Sequence, residues 1–472
     1  LARIDRLIGW LRAAIPAETT LLVFSATPST AGGGNDQTFL PLLIDQENGR
    51  PGLLTSAATR EKGLITSGDF AALIVDLVEG SVERSPVRTE TGAWPELQQK
   101  MSYWLTNLRQ RKIILRVYLY LIIIFSGLTF LLPLTPWWRH AYLINELLMA
   151  LAFFPLTLLL IAPFKIDSWL FLTALLIIVT AGLWVGTRRV FASKKQAYRC
   201  LLLATTIVIF GDLLFGARLM LASLLGPSPV LGLRFYGLGN EYLGVFLGAF
   251  LLGSADFLIR ASWRRWTGVL LSIIALFIFS PFGGANFGGG VAFSYAAWLI
   301  CQRMKLTRVG KENFLYFILF LGGGLSLQIL RSGLRGTTHL HNALRLLSFG
   351  AFDNLLAIAV RKIRMHLALI NYTRWGQILL CGFILFLLIL KVREKAEGST
   401  KQEAKWYHLG TIIAVNTGLV ALLVNDSGIV VIAPLVIYPL ILLADFWSAQ
   451  ERTNILSVLK QAGRRCVGIA KN

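Results

Sequence analysis

Three side chains suited to binding or acid-base chemistry lie in one glycine-containing stretch, Leu231–Glu241. Arg234 supplies a guanidinium, Asn240 an amide and Glu241 a carboxylate. Long apolar segments flank the stretch on both sides, so we expect it to lie at membrane depth inside protein or at a wet surface. A charged pair at that depth is costly unless it meets a partner or water. The stretch therefore predicts either a binding site or an Arg234–Glu241 ion pair that only fixes the loop.

Three further polar interruptions share this character. Gly283–Gly290 contains Asn286, the one plausible contact residue among glycines that permit a re-entrant turn or close helix packing. Asn425–Gly428 joins two apolar segments so tightly that we expect a turn, formed by the ordinary turn residues Asn425 and Asp426. If these interruptions open on the same side of the membrane, they can form one site.

Arg331–Asn342 is the densest polar run in the apolar part of the chain. Arg331, Arg335 and His339 favour anion binding. His339 and His341 have no evident third ligand, so a metal site is not predicted. The next segment, Ala343–Ile370, alternates apolar faces with basic residues and is typical of an amphipathic helix at the membrane interface. We also expect Asp426 to reach toward this Arg-rich region.

Two acidic residues, Glu146 and Asp212, lie within apolar segments. Such residues should face the interior of a helix bundle or a cavity. They are the candidate coupling residues if the protein is a transporter.

Composition identifies the class of protein. The chain has 472 residues, of which 55% are hydrophobic and 15% charged, with a mean hydropathy of +0.63. These values exclude an ordinary soluble domain and predict a polytopic membrane protein in contact with the lipid bilayer. The formal charge of +21 is spread over short basic clusters between apolar segments, which favours a role in topology over nucleic-acid binding. The four cysteines indicate neither disulfides nor zinc, and no cofactor is identifiable.

The pattern predicts a mainly α fold, a transmembrane bundle preceded by a partial extracytoplasmic α/β domain. We assign residues 1–100 to that domain, 101–112 to a linker, 113–446 to the bundle and 447–472 to a basic cytoplasmic tail. In the first domain, Leu21–Ser25 and Phe39–Ile44 are predicted strands, and Asp69–Glu79 is a predicted amphipathic helix. About eleven spans are predicted, centred on Val117–Leu134, Leu143–Ala162, Trp169–Val185, Leu201–Phe215, Tyr242–Ile259, Thr267–Phe279, Gly288–Ile300, Asn313–Leu330, Gln377–Leu390, Tyr407–Val424 and Ile429–Phe446.

The basic loops predict the orientation of the bundle. With eleven spans, most Lys- and Arg-rich loops and the tail fall on one side, which should be cytoplasmic. The N-terminal domain and all four polar interruptions then fall outside. Two features disagree with the rule, namely the basic residues Arg109, Arg111 and Lys112 before the first span, and the Arg-rich external segment 331–374.

Two resemblances add to this interpretation. Leu40–Ile44 and Gly52–Gly80, including Asp69-Phe-Ala-Ala-Leu-Ile-Val-Asp76, resemble the last part of an alkaline-phosphatase-superfamily domain. The resemblance implies that any catalytic residues of that domain lie upstream of Leu1. The apolar part is similar to multi-pass envelope proteins of Gram-positive bacteria, on stretches that include Arg234–Glu241, Gly284–Gly289 and Val424–Ile429. That family implies no particular reaction.

Three functions follow as hypotheses. The first is a cell-envelope enzyme that acts on a phosphorylated lipid or glycopolymer, with Arg234, Arg331 and Arg335 holding the anion and Glu241 or Asp426 acting as general base. In this hypothesis Asn240, Asn286, His339 and Asn425 contribute to substrate binding. The second is a transporter or lipid flippase coupled through Glu146 and Asp212. The third is a membrane scaffold without catalysis. Sequence leaves the oligomeric state open.

Overall fold

The computed structural model describes residues 2–25, 39–46, 49, 51–80, 85–232, 234–259, 261–302, 352–393 and 401–448. The chain is mainly helical, at 73%, with a few short strands. It divides into two compact units. The first comprises Leu1–Leu108 with Pro227–Phe235, and the second comprises Arg109–Gly226 with Tyr236–Asn472.

The first unit contains all the strands of the described residues. Its elements are α1 (Ala2–Ala14), β1 (Leu21–Phe24), β2 (Leu42–Asp45), β3 (Leu53–Ser56), α2 (Ser67–Val78) and β4 (Val87–Glu90). β1 pairs with β2 and β3 with β4, both antiparallel, as two separate two-stranded sheets. The predicted strands are therefore present as a hairpin pair. The predicted partial α/β domain is not confirmed.

Helix α2 confirms the predicted amphipathic helix and shows why it begins where it does. Thr66 is the N-cap, and its hydroxyl accepts the backbone N–H of Asp69 at 3.1 Å. The Asp69 carboxylate in turn accepts the backbone N–H of Thr66 at 2.9 Å, which completes a capping box. Gly80 follows the helix with a φ of +68°, a conformation that glycine adopts without strain. The Asp69 carboxylate thus stabilises the first turn of α2.

The second unit is a bundle of helices. They are α3 (Trp94–Leu131, which begins in the first unit), α4 (Trp138–Leu151), α5 (Phe154–Ile161), α6 (Trp169–Val190), α7 (Lys194–Leu214), α8 (Arg218–Ala222), α9 (Asn240–Gly253), α10 (Ala255–Ile259), α11 (Ala261–Phe279), α12 (Phe287–Gln302), α13 (Phe352–Tyr372), α14 (Arg374–Arg393), α15 (Lys401–Val424) and α16 (Ile429–Ser448). Ten of the eleven predicted apolar segments lie on these helices, and the other, Asn313–Leu330, lies outside the described residues. Residues 101–112, which we interpreted as a linker, are part of the continuous helix α3.

Among the described helices, four are long and apolar enough to cross a membrane: α3, α6, α7 and α16. A fifth span results if α4 and α5, which meet at a 40° bend, count as one. Other apolar helices, including α9 and α12, are shorter. The count of eleven spans is not confirmed, because several predicted segments form helices too short for a full crossing.

Helix α9 lies at the centre of the bundle, with every residue from Tyr242 to Gly253 buried. Gly244 and Gly248 face α16 so closely that an added methyl group would overlap the Val431 carbonyl and the Tyr438 ring, respectively. This is the close helix approach that small residues four apart permit. The packing fixes the N-terminal end of α9, with Asn240 and Glu241, beside the beginning of α16.

Candidate functional site

Three of the four polar interruptions meet at one end of the bundle. The Asn286 amide donates to the carbonyl of Leu238 at 2.9 Å and to Oδ1 of Asn240 at 3.2 Å. Nδ2 of Asn240 donates to the hydroxyl of Ser427 at 2.6 Å. A continuous hydrogen-bonded chain thus joins the loop before α12, the loop before α9 and the turn between α15 and α16. We call this set, Asn286, Asn240 and Ser427, the asparagine junction.

Local backbone features hold the junction together. Oδ1 of Asn286 accepts the backbone N–H of Gly289 at 2.8 Å and so caps the start of α12. The backbone N–H of Leu238 donates to the carbonyl of Gly284 at 2.8 Å, which ties two of the loops directly. Gly288 packs against the buried amide of Asn425 and has no room for a side chain. The glycine run therefore serves close packing.

Glu241 forms an ion pair with Arg111 of α3. Nη2 of Arg111 lies 2.6 Å from Oε1 of Glu241, and each side chain is only 15% exposed. Arg111 also donates to the carbonyl of Gly226. The pair differs from the expected Arg234–Glu241 pair, because Arg111 reaches Glu241 from a helix 130 residues away in sequence. Arg111, one of the basic residues that disagreed with the topology rule, thus has a partner.

The Asn425–Gly428 turn carries an exposed carboxylate beside a basic helix. The Asp426 side chain is 80% exposed and lies 3.3 Å from Nζ of Lys362, which also donates to the carbonyl of Val424. The backbone N–H of Gly428 donates to Nε2 of His366 at 3.1 Å. Both basic residues belong to α13. Asp426 therefore reaches the Arg-rich segment, as we expected.

The pKa of His366 is lowered from its ordinary value. Partial burial disfavours the imidazolium, and the positive charge of Lys362 acts in the same direction. The backbone at Asn425 and the carboxylate of Asp426 oppose this effect more weakly. A neutral imidazole suits the observed geometry, because Nε2 must keep a lone pair to accept the Gly428 N–H.

The remaining predicted anion-binding residues fall elsewhere. Arg234 is half-buried and belongs to the first unit, whereas Asn240 and Glu241 belong to the second. Arg331, Arg335 and His339 lie outside the described residues.

A second charged cluster surrounds Glu146 on α4. Nε1 of Trp184 donates to Glu146 at 2.8 Å, and Arg188 and Lys194 lie 3.6 and 3.7 Å from its carboxylate. Lys194 also lies 2.9 Å from Asp445, which accepts the amide of Asn145 at 2.6 Å. This Glu146 cluster is at the ends of α6 and α16 and the start of α7. Glu146 thus faces charged side chains of neighbouring helices, whereas the sequence predicted only that it faces the bundle interior or a cavity.

Asp212 is buried and bound to backbone. Its carboxylate accepts the N–H groups of Leu219 and Met220, each at 2.8 Å. It thereby satisfies donors at the start of the short helix α8. This arrangement explains an acid near the end of an apolar helix without any coupling role.

Sequence reasoning missed Arg111 and Ser427 as members of these contacts and gave Lys362 and His366 only an interfacial role. The one available signal was the unusual placement of basic residues on the predicted outer side. Comparison of the chain with protein-family models, curated proteins and solved structures found no match.

Proposed function

We propose that this chain is a multi-pass membrane protein of the bacterial cell envelope that binds an anionic, phosphate-bearing lipid or polymer at the outer end of its bundle. The observation that carries the proposal is the packing of α13 on the Asn425–Gly428 turn through Lys362 and His366, next to the asparagine junction. The basic helix α13 is thereby held beside the asparagine junction.

Charge on α13 supports an anionic ligand. Arg361 and Arg364 are exposed on this helix, and the Lys362 side chain is 29% exposed. Guanidinium and ammonium groups bind phosphate through charge-assisted hydrogen bonds. Only one acidic residue, Asp426, pairs with this helix in the described structure, so positive charge remains for a ligand. Such a helix on the outer face also explains the departure from the positive-inside rule.

The two carboxylates considered as general base, Glu241 and Asp426, differ in their environment. Glu241 is engaged by Arg111 and largely buried, which suits a structural ion pair. Asp426 is 80% exposed and accessible to a ligand held by α13. We therefore assign the acid-base role in any envelope reaction to Asp426, and leave Glu241 to fix the loop before α9.

The first unit has its own place in the proposal. We propose that it is the closing part of an exported phosphatase-superfamily-like domain, supported by the short strands and the capped helix α2. The Asp69 carboxylate also accepts the hydroxyl of Ser56 at 2.7 Å, so this residue holds the fold of the segment.

Binding can be tested on the full chain in detergent. We would titrate phosphatidic acid and, separately, phosphatidylcholine, and follow bound lipid by native mass spectrometry. The triple variant Arg361→Gln/Lys362→Gln/Arg364→Gln should bind phosphatidic acid at least tenfold more weakly, or about 1.4 kcal/mol. The matched control is Arg189→Gln, which removes an exposed cation at the end of α6. Its affinity for phosphatidic acid should stay within twofold of that of the parent protein. Equal loss in both variants, or equal binding of the two lipids, would refute the proposal.

A transporter is the second candidate, favoured by the Glu146 cluster. Half-buried charges with exchangeable partners are typical of coupling sites in membrane proteins. Lys194 lies within 4 Å of both Glu146 and Asp445, so two carboxylates compete for one ammonium group. The Asp212 carboxylate is already hydrogen-bonded to backbone amides, so the transporter hypothesis depends on Glu146. Glu146→Gln should abolish transport in cells while leaving phosphatidic acid binding intact, and full activity of this variant would exclude the transporter.

A further inference from the structure

A stripe of basic side chains lies on the exposed face of helix α3. Arg109, Lys112 and Arg116 are exposed and recur at intervals of three and four residues, which places them on one side of the helix. Arg111, by contrast, turns inward to its ion pair and is only 15% exposed. Helix α3 carries no acidic residue after Glu96. The exposed face is therefore positively charged over about 10 Å of the helix axis.

The same face becomes apolar where the basic stripe ends. Arg116 is the last charged residue of α3. Three apolar side chains lie beside or beyond it on this side of the helix, namely Ile113, Val117 and Ile124, which are 61%, 52% and 52% exposed. Helix α3 is long and apolar enough to cross a membrane, so apolar side chains on its outer face are suited to contact lipid chains. Arg116 thus lies at the border between the polar interface and the hydrocarbon.

The direction of α3 favours extension of the Arg116 guanidinium toward the membrane surface. Side chains on a helix tilt toward its N-terminus, and the basic stripe lies on the N-terminal side of the apolar face. A long basic side chain in this position brings its charge to the lipid headgroups while its methylene groups remain in hydrocarbon. The charge needs an anionic partner or water at that depth, because an isolated charge is costly there. Lipid headgroups supply such a partner in their phosphate groups.

A second helix supplies a further cation to this surface. The guanidinium carbon of Arg374, the first residue of α14, lies 5.4 Å from the centre of the Tyr120 ring, and both residues are exposed. Tyr120 follows Arg116 by one helical turn on the same face of α3. Tyrosine is an amphipathic residue that is enriched at the level of the headgroups. Cations from two helices therefore lie around one aromatic ring.

We propose that this face of α3 binds a phospholipid of net negative charge from the surrounding bilayer. Its phosphate is held by Lys112, Arg116 and Arg374, through charge-assisted hydrogen bonds. One of its acyl chains lies along Val117 and Ile124. A zwitterionic lipid offers the same phosphate, but its own ammonium group offsets the attraction, so the site prefers an anionic headgroup. The proposal does not depend on ligand binding at α13.

Lipid preference at this face can be measured in a bilayer by fluorescence quenching. The full chain, with its four cysteines replaced by serine and Ile124→Cys labelled with bimane, would be reconstituted in phosphatidylcholine vesicles. The vesicles would contain increasing fractions of phosphatidylglycerol or phosphatidylcholine with brominated acyl chains. Ile124 lies about 12 Å beyond Arg116 along the axis, within one hydrocarbon leaflet of about 15 Å. We expect phosphatidylglycerol to quench with at least about threefold higher apparent affinity than phosphatidylcholine.

The double variant Lys112→Gln/Arg116→Gln should bring the two apparent affinities close to equality. Quenching by phosphatidylcholine needs only exposure to lipid, so it also shows whether this variant is still inserted. Arg189→Gln, which removes an exposed cation of α6, is the matched control and should keep the preference.

A second label position controls for general attraction of anionic lipid to the protein. Ile177 on α6 is 65% exposed, and α6 has no basic residue before Arg188. This helix begins beside the same part of α3, where Gln110 donates to the carbonyl of Asp167 at 2.8 Å. Bimane at Ile177→Cys should therefore be quenched equally by the two lipids.

Three results would overturn the proposal. They are equal quenching by both lipids at position 124, a preference that persists in the double variant, and the same preference at position 177. The α13 triple variant should retain the preference at position 124, and its loss there would assign the lipid to α13 and refute the α3 site. Because the label reports only lipid that lies against α3, failure of this proposal is distinguishable from failure of the phosphatidic acid titration.

Discussion

Removal of either partner of the Arg111–Glu241 pair should destabilise the bundle strongly. Both side chains are 15% exposed, so an orphaned charge would have little access to water. Breaking a fully buried pair costs about 3–5 kcal/mol, and the residual exposure places our expectation at the lower end. Arg111→Met also leaves the Gly226 carbonyl without its donor, which adds about 1 kcal/mol.

A double-mutant cycle isolates the interaction between the two side chains. We expect Glu241→Gln to cost about 3 kcal/mol and Arg111→Met, which also loses the Gly226 contact, about 4 kcal/mol. The double variant should cost little more than Arg111→Met alone, which corresponds to a coupling energy of about 3 kcal/mol. The free energy of unfolding would be measured by circular dichroism of the full chain in mixed micelles with increasing denaturing detergent.

The exposed pair Lys62–Glu90 provides the control. Its nitrogen and oxygen atoms lie 3.4 Å apart, and its side chains are 54% and 45% exposed. Exposed pairs contribute about 0–1 kcal/mol, because water and salt screen them. We expect a coupling energy of less than about 0.5 kcal/mol for Lys62→Gln with Glu90→Gln. A similarly small coupling between Arg111 and Glu241 would contradict our view of a buried, structural ion pair.

Three further predictions concern the asparagine junction and its turn. Asn286→Ala loses hydrogen bonds to Leu238, Asn240 and Gly289 and should cost about 2–4 kcal/mol. Asn416→Ala loses one hydrogen bond within its own helix and should cost less than about 1 kcal/mol, and unfolding in micelles compares the two variants. Gly288→Ala should lower the unfolding midpoint because its methyl group overlaps Asn425, whereas Gly186→Ala, which meets no atom, should leave it unchanged or raise it. Since the pKa of His366 is lowered by folding, its contact with the turn is intact above the ordinary value of 6.5 and is lost as pH falls through the lowered value. After correction for the intrinsic slowing of amide exchange in acid, the protection of residues 425–430 should therefore fall on acidification. A protection factor with the same pH dependence in His366→Gln would exclude this link.

Local signals made much of the fold predictable. The Thr66 to Asp69 capping box and Gly80 delimit α2, and long apolar segments correspond to helices because burial of apolar side chains and backbone hydrogen bonding favour them together. Helix length was less predictable. Bends such as the one between α4 and α5 interrupt segments that are continuous in hydropathy.

The contacts of the candidate site depend on long-range pairing that a single sequence does not encode locally. Arg111 and Glu241 are 130 residues apart, and Lys194 and Asp445 are 251 apart. Sequence singled out Glu241 in the first pair and, beside the second pair, only Glu146, since a charge in an apolar segment needs a partner. The partner itself is selected by how the helices pack. The same limit explains why Glu241 was predicted as a base and is found in an ion pair.

The measurement that tests the central claim most directly is the accessibility of the Asn425–Gly428 turn from outside the cell. In a background with all four native cysteines replaced by serine, Asp426→Cys and Arg189→Cys would be labelled with a membrane-impermeant maleimide in intact bacterial spheroplasts. Our account predicts that position 426, which is exposed at the asparagine junction, is labelled at once. Position 189, at the end of α6 near the Glu146 cluster, should be labelled only after permeabilisation. Labelling of position 189 but not position 426 in intact spheroplasts would place the proposed binding surface on the cytoplasmic side and contradict the account.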